Sequence, residues 1–216
     1  MTDFVSTAEL IYHMPHEELI LGAVAQVSRN KGDILDPAFY RDGVIDKEGE
    51  RKTLRFCVKS GHLSVLEFAQ FVFKVRCPIF VARQLMRYRN ASYIERSLRY
   101  CVPETREWAK EIEDPETAGS PWGTMVQHEE YCRSVYNDFV CEGIKKEWAR
   151  GVLPLSTMTV FLMRIDLREA LHIFDERLTP QCQKETREVV EQMYEEVKRR
   201  FPLVIGEYES KKNNDA

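Results

Sequence analysis

The strongest constraint on how this chain folds is a change of hydrophobic period between residues 66 and 77, LEFAQFVFKVRC. Phe71, Phe73, Val75 and Cys77 alternate with Gln70, Lys74 and Arg76. A period of two, with aromatic and β-branched residues on one side, predicts a half-buried strand. Pro78 then suits the first turn of a helix over IFVARQLMRYR. On that helix Arg83 and Arg87 share a face, with Gln84 beside them. A strand that runs directly into a helix, with its apolar side all on one face, needs helices packed over that face.

The flanking sequence supplies them. HEELILGAVAQVSR (16–29) repeats apolar residues at helical spacing. Residues 31–47 carry Gly32, Pro37 and Gly43 and predict a loop. RKTLRFCVKSGH predicts a helix with Leu54, Cys57 and Val58 inward, ended by Gly61 in a left-handed conformation. Residues 90–98 read as a polar loop, and LRYCVP as a short strand ended by Pro103. EIEDPETAGSPWG (111–123) is expected to be an acidic surface loop. A helix over about 124–142 is predicted to bury Met125, Cys132, Val135, Tyr136 and Phe139 before stopping at Gly143. A short helix precedes Pro154, and STMTVFLMR has strand character. Asp166 is placed to cap the next helix, with Glu169 completing a capping box. That helix ends near Arg177 and Leu178. Thr179-Pro180 opens a final helix running to about 200, and KKNNDA is expected as a solvated tail. The expected fold is α+β: a small, mostly antiparallel sheet packed with several helices, in one domain spanning 1–216.

Composition narrows the function. No apolar run approaches the roughly 20 residues of a membrane span, and the acidic N-terminal stretch has no signal pattern, so a cytoplasmic protein is expected. The six cysteines form no CxxC, and no histidine lies at zinc-finger spacing from them. They read as reduced, mostly buried thiols, with no metal site. A net charge of −4 gives no global attraction to nucleic acid. Gly-rich phosphate loops and GxSxG or HExxH motifs are absent from the sequence.

Against that acidic background, RYRNASYIERSLRY (87–100) gathers Arg87, Arg89, Arg96 and Arg99 around Glu95. Convergent guanidinium groups suit a phosphorylated ligand, because each planar fork donates two parallel hydrogen bonds and stays charged. A subunit interface is the other reading. Three further arginines stand out. Arg150 precedes GVLPLS. Arg168 lies in a first helical turn, as a surface charge or a ligand contact. Arg177 lies at a helix C-terminus, where it complements the dipole or serves a site. His62, Ser64 and His172 are each consistent with ordinary turn or helix positions.

SGHLSVLEFAQFVFKVRCPIFVARQLMRYRNASYIERSLRY resembles the core of flavin-dependent thymidylate synthases, whose pattern runs GHxSxxEH, a strand, then PxxVxRQxxRHRxxSxNExSxRY. ARGVLPLSTMT is similar to the family's ARxxLPLxxxT, and the register continues to Arg177. The resemblance covers about residues 20–200. It implies FAD contacts at Ser64, Arg87, Tyr88, Arg89, Glu95, Asp166, Arg168 and His172. It implies nucleotide contacts at Gln84, Arg87, Glu95, Ser97, Arg99, Arg150 and Arg177. Arg177 is implied as the catalytic group that favours ionisation at N3 of the uracil ring. The implied activity is methylation of dUMP at C5, with FAD as cofactor and NADPH and methylenetetrahydrofolate as co-substrates, in a homotetramer whose sites form between subunits. A UMP methylase of nucleoside biosynthesis is the alternative within this class. A flavin- or nucleotide-binding protein without catalysis, and a single-stranded RNA binder, are the rivals from other classes. The chain departs from the family pattern at Tyr88 (histidine), Ile94 (asparagine), Leu98 (a small residue), Asp166 (asparagine) and Phe68 (histidine).

Overall fold

The computed structural model describes residues 6–13, 17–26, 47–103 and 121–215. The loops expected at 31–47 and 111–123 fall almost wholly outside these residues.

The strand read from the period-two run is present as β2 (Gln70–Pro78). It is central in a four-stranded antiparallel sheet. β1 (Thr7–His13) pairs on one side of it and β4 (Met158–Asp166) on the other, and β3 (Ser92–Glu95) forms the far edge beyond β4. The alternation holds in space: Phe71, Phe73, Val75 and Cys77 are fully buried. β4 continues the same face with Phe161, Met163 and Ile165. Large side chains buried this completely each contribute about 1.5–3 kcal/mol of transfer free energy.

Helices cover that one face. α1 (Glu17–Gln26) packs against α2 (Lys47–Lys59). Gly22 makes their crossing possible, since a Cβ there would lie 2.5 Å from the Glu50 Cβ and 2.6 Å from its carbonyl oxygen. Leu54, Cys57 and Val58 of α2 point inward as expected, and Gly61 ends the segment at φ +73°. A 3-10 turn (Leu63–Phe68) leads into β2, and α3 (Ile79–Leu85) follows it. α4 (Pro121–Cys141) stops at Gly143 (φ +84°), before α5 (Lys146–Ala149). α6 (Leu167–Arg177), α7 (Lys184–Arg200) and α8 (Pro202–Asp215) complete the layer, with α7 lying across β1 and β2.

Several expectations need correction. The helix expected over 79–89 ends at Leu85. The Tyr93 hydroxyl shares its one proton between the carbonyls of Leu85 (2.7 Å) and Tyr88 (2.9 Å), which ties down the departing chain. Residues 92–95, read as loop, form the edge strand β3. LRYCVP forms turns instead of a strand, with the Tyr100 and Cys101 amides both donating to the Ser97 carbonyl. β1 had no sequence reading at all. Met125 is exposed, although Cys132 and Tyr136 of α4 are buried. α7 begins four residues after Pro180 and is not the last helix. Residues 211–215 of the expected tail continue α8, which is held by buried Val204 and Ile205 and by Glu18, whose Oε1 accepts from the Leu203 and Val204 amides.

The six cysteines are unpaired, but only Cys57, Cys77 and Cys132 are buried. Burial, with Glu95 adding to it, pushes the Cys77 thiol well above its ordinary pKa, the opposite of what a nucleophile needs. Among the described residues, no helix is long and apolar enough to cross a membrane.

Candidate active site

β4 alternates, so while Met163 and Ile165 enter the core, Arg164 and Asp166 face outward. Ser92 of β3 lies directly opposite Arg164. α6 starts where β4 ends. Its first turn is fixed by Asp166, whose Oδ1 accepts from the Glu169 amide at 2.8 Å. The reciprocal half of the expected capping box is absent, because the Glu169 carboxylate turns instead to accept from the Asn90 amide at 3.1 Å.

These elements wall a groove of about 980 Å³. Four of the residues expected at a cofactor line it: Arg89, Asp166, Arg168 and His172. Val58, Leu63 and Leu171 give it an apolar flank. Cationic groups outnumber carboxylates there by five to four. Two of the five are committed: Arg168 to Glu67 at 2.5 Å, and Lys212 to Asp175 at 2.9 Å. Arg164 donates to the neutral Gln70 at 3.3 Å. Arg89 and Lys211 make no ion pair among the described residues. The groove therefore offers an apolar wall beside uncompensated positive charge, which is what a ligand with a flat ring and a phosphate requires. Its volume, at the upper end for small-molecule sites, fits a dinucleotide such as FAD.

The other expected site residues lie elsewhere on this chain. Ser64 is exposed on the 3-10 turn and does not line the groove. Arg87 is exposed just past α3. Glu95 accepts from the Thr159 hydroxyl at 2.8 Å. Ser97 accepts from the Arg99 amide. Arg99 and Arg150 meet at Glu147: Arg99 pairs with its carboxylate at 3.2 Å, and the Arg150 Nε donates to its backbone carbonyl at 3.2 Å. Gln84 donates to Gln183 (2.5 Å) and accepts from Thr186 (3.1 Å), which joins α3 to α7.

Arg177 and Tyr88 form a third group. The Arg177 Nε donates to the Tyr88 hydroxyl at 2.7 Å, and that hydroxyl donates to Glu176 at 2.7 Å. Burial works against the charge on Arg177. Tyr88 and Cys182 beside it outweigh that and hold its pKa above the ordinary value. Arg177 is a permanent cation and no ordinary base. Tyr88 is 5% exposed and does not reach the groove; its ring packs edge-on against His172, which does. A single chain thus gathers four of the expected residues in one groove, places Arg99 with Arg150 and Tyr88 with Arg177 in two further clusters, and leaves Ser64, Gln84, Arg87 and Glu95 outside all three.

Sequence reasoning missed Arg164, Glu147, Glu176, Tyr208 and Lys211. Arg164 was accessible in principle, because it shares the outward phase of β4 with Asp166. Tyr208 and Lys211 were hidden because their segment was read as ending in a tail.

The family described as Thymidylate synthase complementing protein matches residues 9–203. The flavin-dependent thymidylate synthase of Synechocystis sp. is 30% identical over 171 residues, covering 73% of this chain and 80% of that protein. The enzyme of the same name from a Thermus thermophilus strain is 31% identical over 182 residues, covering 79% and 67%. In fold, the chain is similar to the crystal structure of a UMP/dUMP methylase PolB from Streptomyces cacaoi bound with 5-Br dUMP, with a TM-score of 0.79, 24% identity and 95% of each chain covered. The family match stops as α8 begins, so Tyr208, Lys211 and Lys212 extend the groove from outside the shared pattern. With β2, β3, β4, most of the groove lining and Arg177 inside the matched stretch, the chain belongs to the flavin-dependent thymidylate synthase family.

Proposed function

We propose that this protein methylates uracil C5 of a nucleotide, converting dUMP to dTMP, as a single catalytic domain acting in the cytoplasm. The observation that carries the reading is the groove in which Arg89, Asp166, Arg168 and His172 converge beside an apolar flank. Arg89, Arg164, Arg168 and Lys211 would hold the phosphates of FAD there, and Leu63 and Leu171 would supply apolar contact. What FAD supplies when bound is hydride, drawn from NADPH and delivered to the one-carbon unit that methylenetetrahydrofolate provides. The chain's own residues bind and orient. Arg99 and Arg150 hold the nucleotide phosphate. Arg177 presents positive charge to the uracil edge at N3 and O2, stabilising the charge that develops as C5 becomes nucleophilic. No thiol is required to attack C6, which agrees with the raised Cys77 and with cysteines left unpaired as in a reducing compartment.

The three clusters act together in a homotetramer. The outer sheet face supports this: Ile94 is 74% exposed and lies opposite Leu162, which is also exposed. Trp148 and Tyr100 are similarly bare. A second copy seated on this side buries that surface and brings Arg99 and Arg150 of one chain to the groove of another.

The test is tritium release from C5-labelled dUMP and UMP by protein supplied with FAD, NADPH and methylenetetrahydrofolate. The expected result is a yellow protein, bleached by NADPH, that releases tritium. The UMP arm matters because the structural relative is described as acting on both nucleotides. A protein that stays colourless with FAD, or takes up flavin and releases no tritium from either nucleotide, would sink the reading.

Asp166 gives a separate expectation. Burial, followed by Glu67 and Glu169, raises its pKa despite the Glu169 amide. A carboxylate with a raised folded pKa lowers stability when ionised, and the cost disappears as pH falls through that value. Asp166→Asn keeps the capping oxygen and removes the charge. It should raise Tm at pH 7, with the gain shrinking to nothing in acid below the ordinary aspartate value. It should also raise the midpoint potential of bound flavin, because a carboxylate lining the groove would disfavour an anionic reduced cofactor. An unchanged Tm difference between pH 7 and acid would refute the linkage.

A further inference from the structure

We propose that Tyr88 is a positioning residue that fixes the orientation of Arg177 through one hydroxyl group shared with Glu176. The inference rests on the assignment of Arg177 to the nucleotide's uracil edge, and it gives Tyr88 a role different from the flavin contact that the motif implies.

The geometry separates this role from ordinary packing. A buried tyrosine hydroxyl needs only a partner, and a backbone carbonyl is enough; Tyr93 is satisfied in that way by the Leu85 and Tyr88 carbonyls. Tyr88 is satisfied differently. Its oxygen donates to the Glu176 Oε2 and accepts from the Arg177 Nε, both at 2.7 Å. Glu176 and Arg177 are neighbours in the last turn of α6. Neighbouring helical side chains leave the axis about 100° apart. One atom that reaches both therefore fixes the rotamers of both. The phenol ring adds a second constraint, since the Arg177 Cζ lies 5.4 Å from its centroid. The chain of contacts also runs back toward the groove, because the other Glu176 oxygen faces the His172 Nε2 at 3.6 Å and the His172 ring packs edge-on against Tyr88.

The arrangement has a stereochemical consequence. A guanidinium can offer a partner its side, through Nε and one Nη, or its end, through both Nη groups. With Nε committed to Tyr88, Arg177 offers only the end. Burial, with Glu176 adding to it, keeps the Tyr88 phenol protonated across the working range, so the Glu176 bond persists and the hydroxyl stays neutral. A histidine at this position cannot reproduce the arrangement, because an imidazole is shorter than a phenol and its nitrogen stops short of the hydroxyl position.

The test compares Tyr88→Phe, Arg177→Ala and the double variant. Tyr88→Phe keeps the ring and the packing. We expect it to fold, to bind flavin like the native protein, and to lose roughly 10–100-fold in kcat with KM within about threefold, the loss appropriate to one charge-assisted hydrogen bond. Added to Arg177→Ala, it should cost nothing further, since it acts through that arginine. Crystal structures of the two proteins give a readout independent of turnover: Arg177 should occupy one rotamer in the native protein and several in Tyr88→Phe. A kcat within twofold of native, an equal loss with and without Arg177, or an unmoved Arg177 rotamer would overturn the proposal. If the native protein methylates neither nucleotide, the assignment of function fails, and the rotamer comparison alone decides the role of Tyr88.

Discussion

Arg177→Ala should lower tritium release about 10²–10³-fold while the protein stays yellow, the magnitude seen when one preorganised donor is removed from a charge-stabilising site. The reasoning starts from what Arg177 cannot do. Its pKa is held above the ordinary arginine value, so it removes no proton at neutral pH. In the proposed reaction its contribution would be a fixed positive field where charge accumulates, and only interactions stronger in the transition state accelerate the chemistry. Arg177 does not line the groove, which is why flavin content should be unaffected. The fold should tolerate the change, because a cation in the last turn of a partly exposed helix stabilises it by only about 0.3–1 kcal/mol. Arg177→Lys should recover little, since an ammonium lacks the planar fork and its reach differs from that of the Nε that bonds Tyr88. Turnover near the native rate in Arg177→Ala would remove this residue from the mechanism.

How much of this was legible beforehand depended on whether a segment takes its structure from its own pattern or from its neighbours. β2 was legible because its alternation is strong and its inward residues are fully buried. α6 was legible from Asp166 and from the apolar residues behind it. β1 was not, because its register shifts between Leu10 and Tyr12 and leaves Ile11 and Tyr12 both exposed, which breaks the period of two. β3 carries mostly exposed residues and owes its extended form to pairing with β4. The end of α3 at Leu85 was also invisible, since the chain beyond it is held by bonds its own pattern does not show, from Tyr93 to the Leu85 and Tyr88 carbonyls and from Tyr88 to Glu176 and Arg177, almost ninety positions away.

The site shows the same division. Residue types were readable, and Arg89, Asp166, Arg168 and His172 do meet. Which carboxylate neutralises which arginine was not readable. Glu67 matches the glutamate of the GHxSxxEH pattern but with no readable partner, and Glu147 and Glu176 have no sequence signature, yet each holds one of the expected site residues.

That neutralisation shapes the second large effect, the loss of both Arg99 and Arg150. Arg99→Ala with Arg150→Ala should weaken dUMP binding about 10²–10⁴-fold, from two charge-assisted hydrogen-bond partners of a phosphate at roughly 1.5–3 kcal/mol each. The loss should fall below the sum of the single changes if both arginines grip the same phosphate. Stability should hardly move, because the Arg99–Glu147 pair is solvent-exposed, and such pairs are worth about 0–1 kcal/mol. In the proposed site Arg99 would have to exchange Glu147 for phosphate, so Glu147 would compete with the ligand and repel it once Arg99 is gone. Arg99→Ala alone should therefore cost more affinity than Arg150→Ala, whose Nε bonds only the Glu147 backbone carbonyl. Equilibrium titration of the flavin-loaded protein with dUMP reads these differences directly, and raising the salt concentration should narrow them by screening both Glu147 and the phosphate. A double variant that binds dUMP within threefold of the native protein would show that the phosphate is held elsewhere, and would turn attention to Arg87, Arg89 and Lys211, which make no ion pair among the described residues.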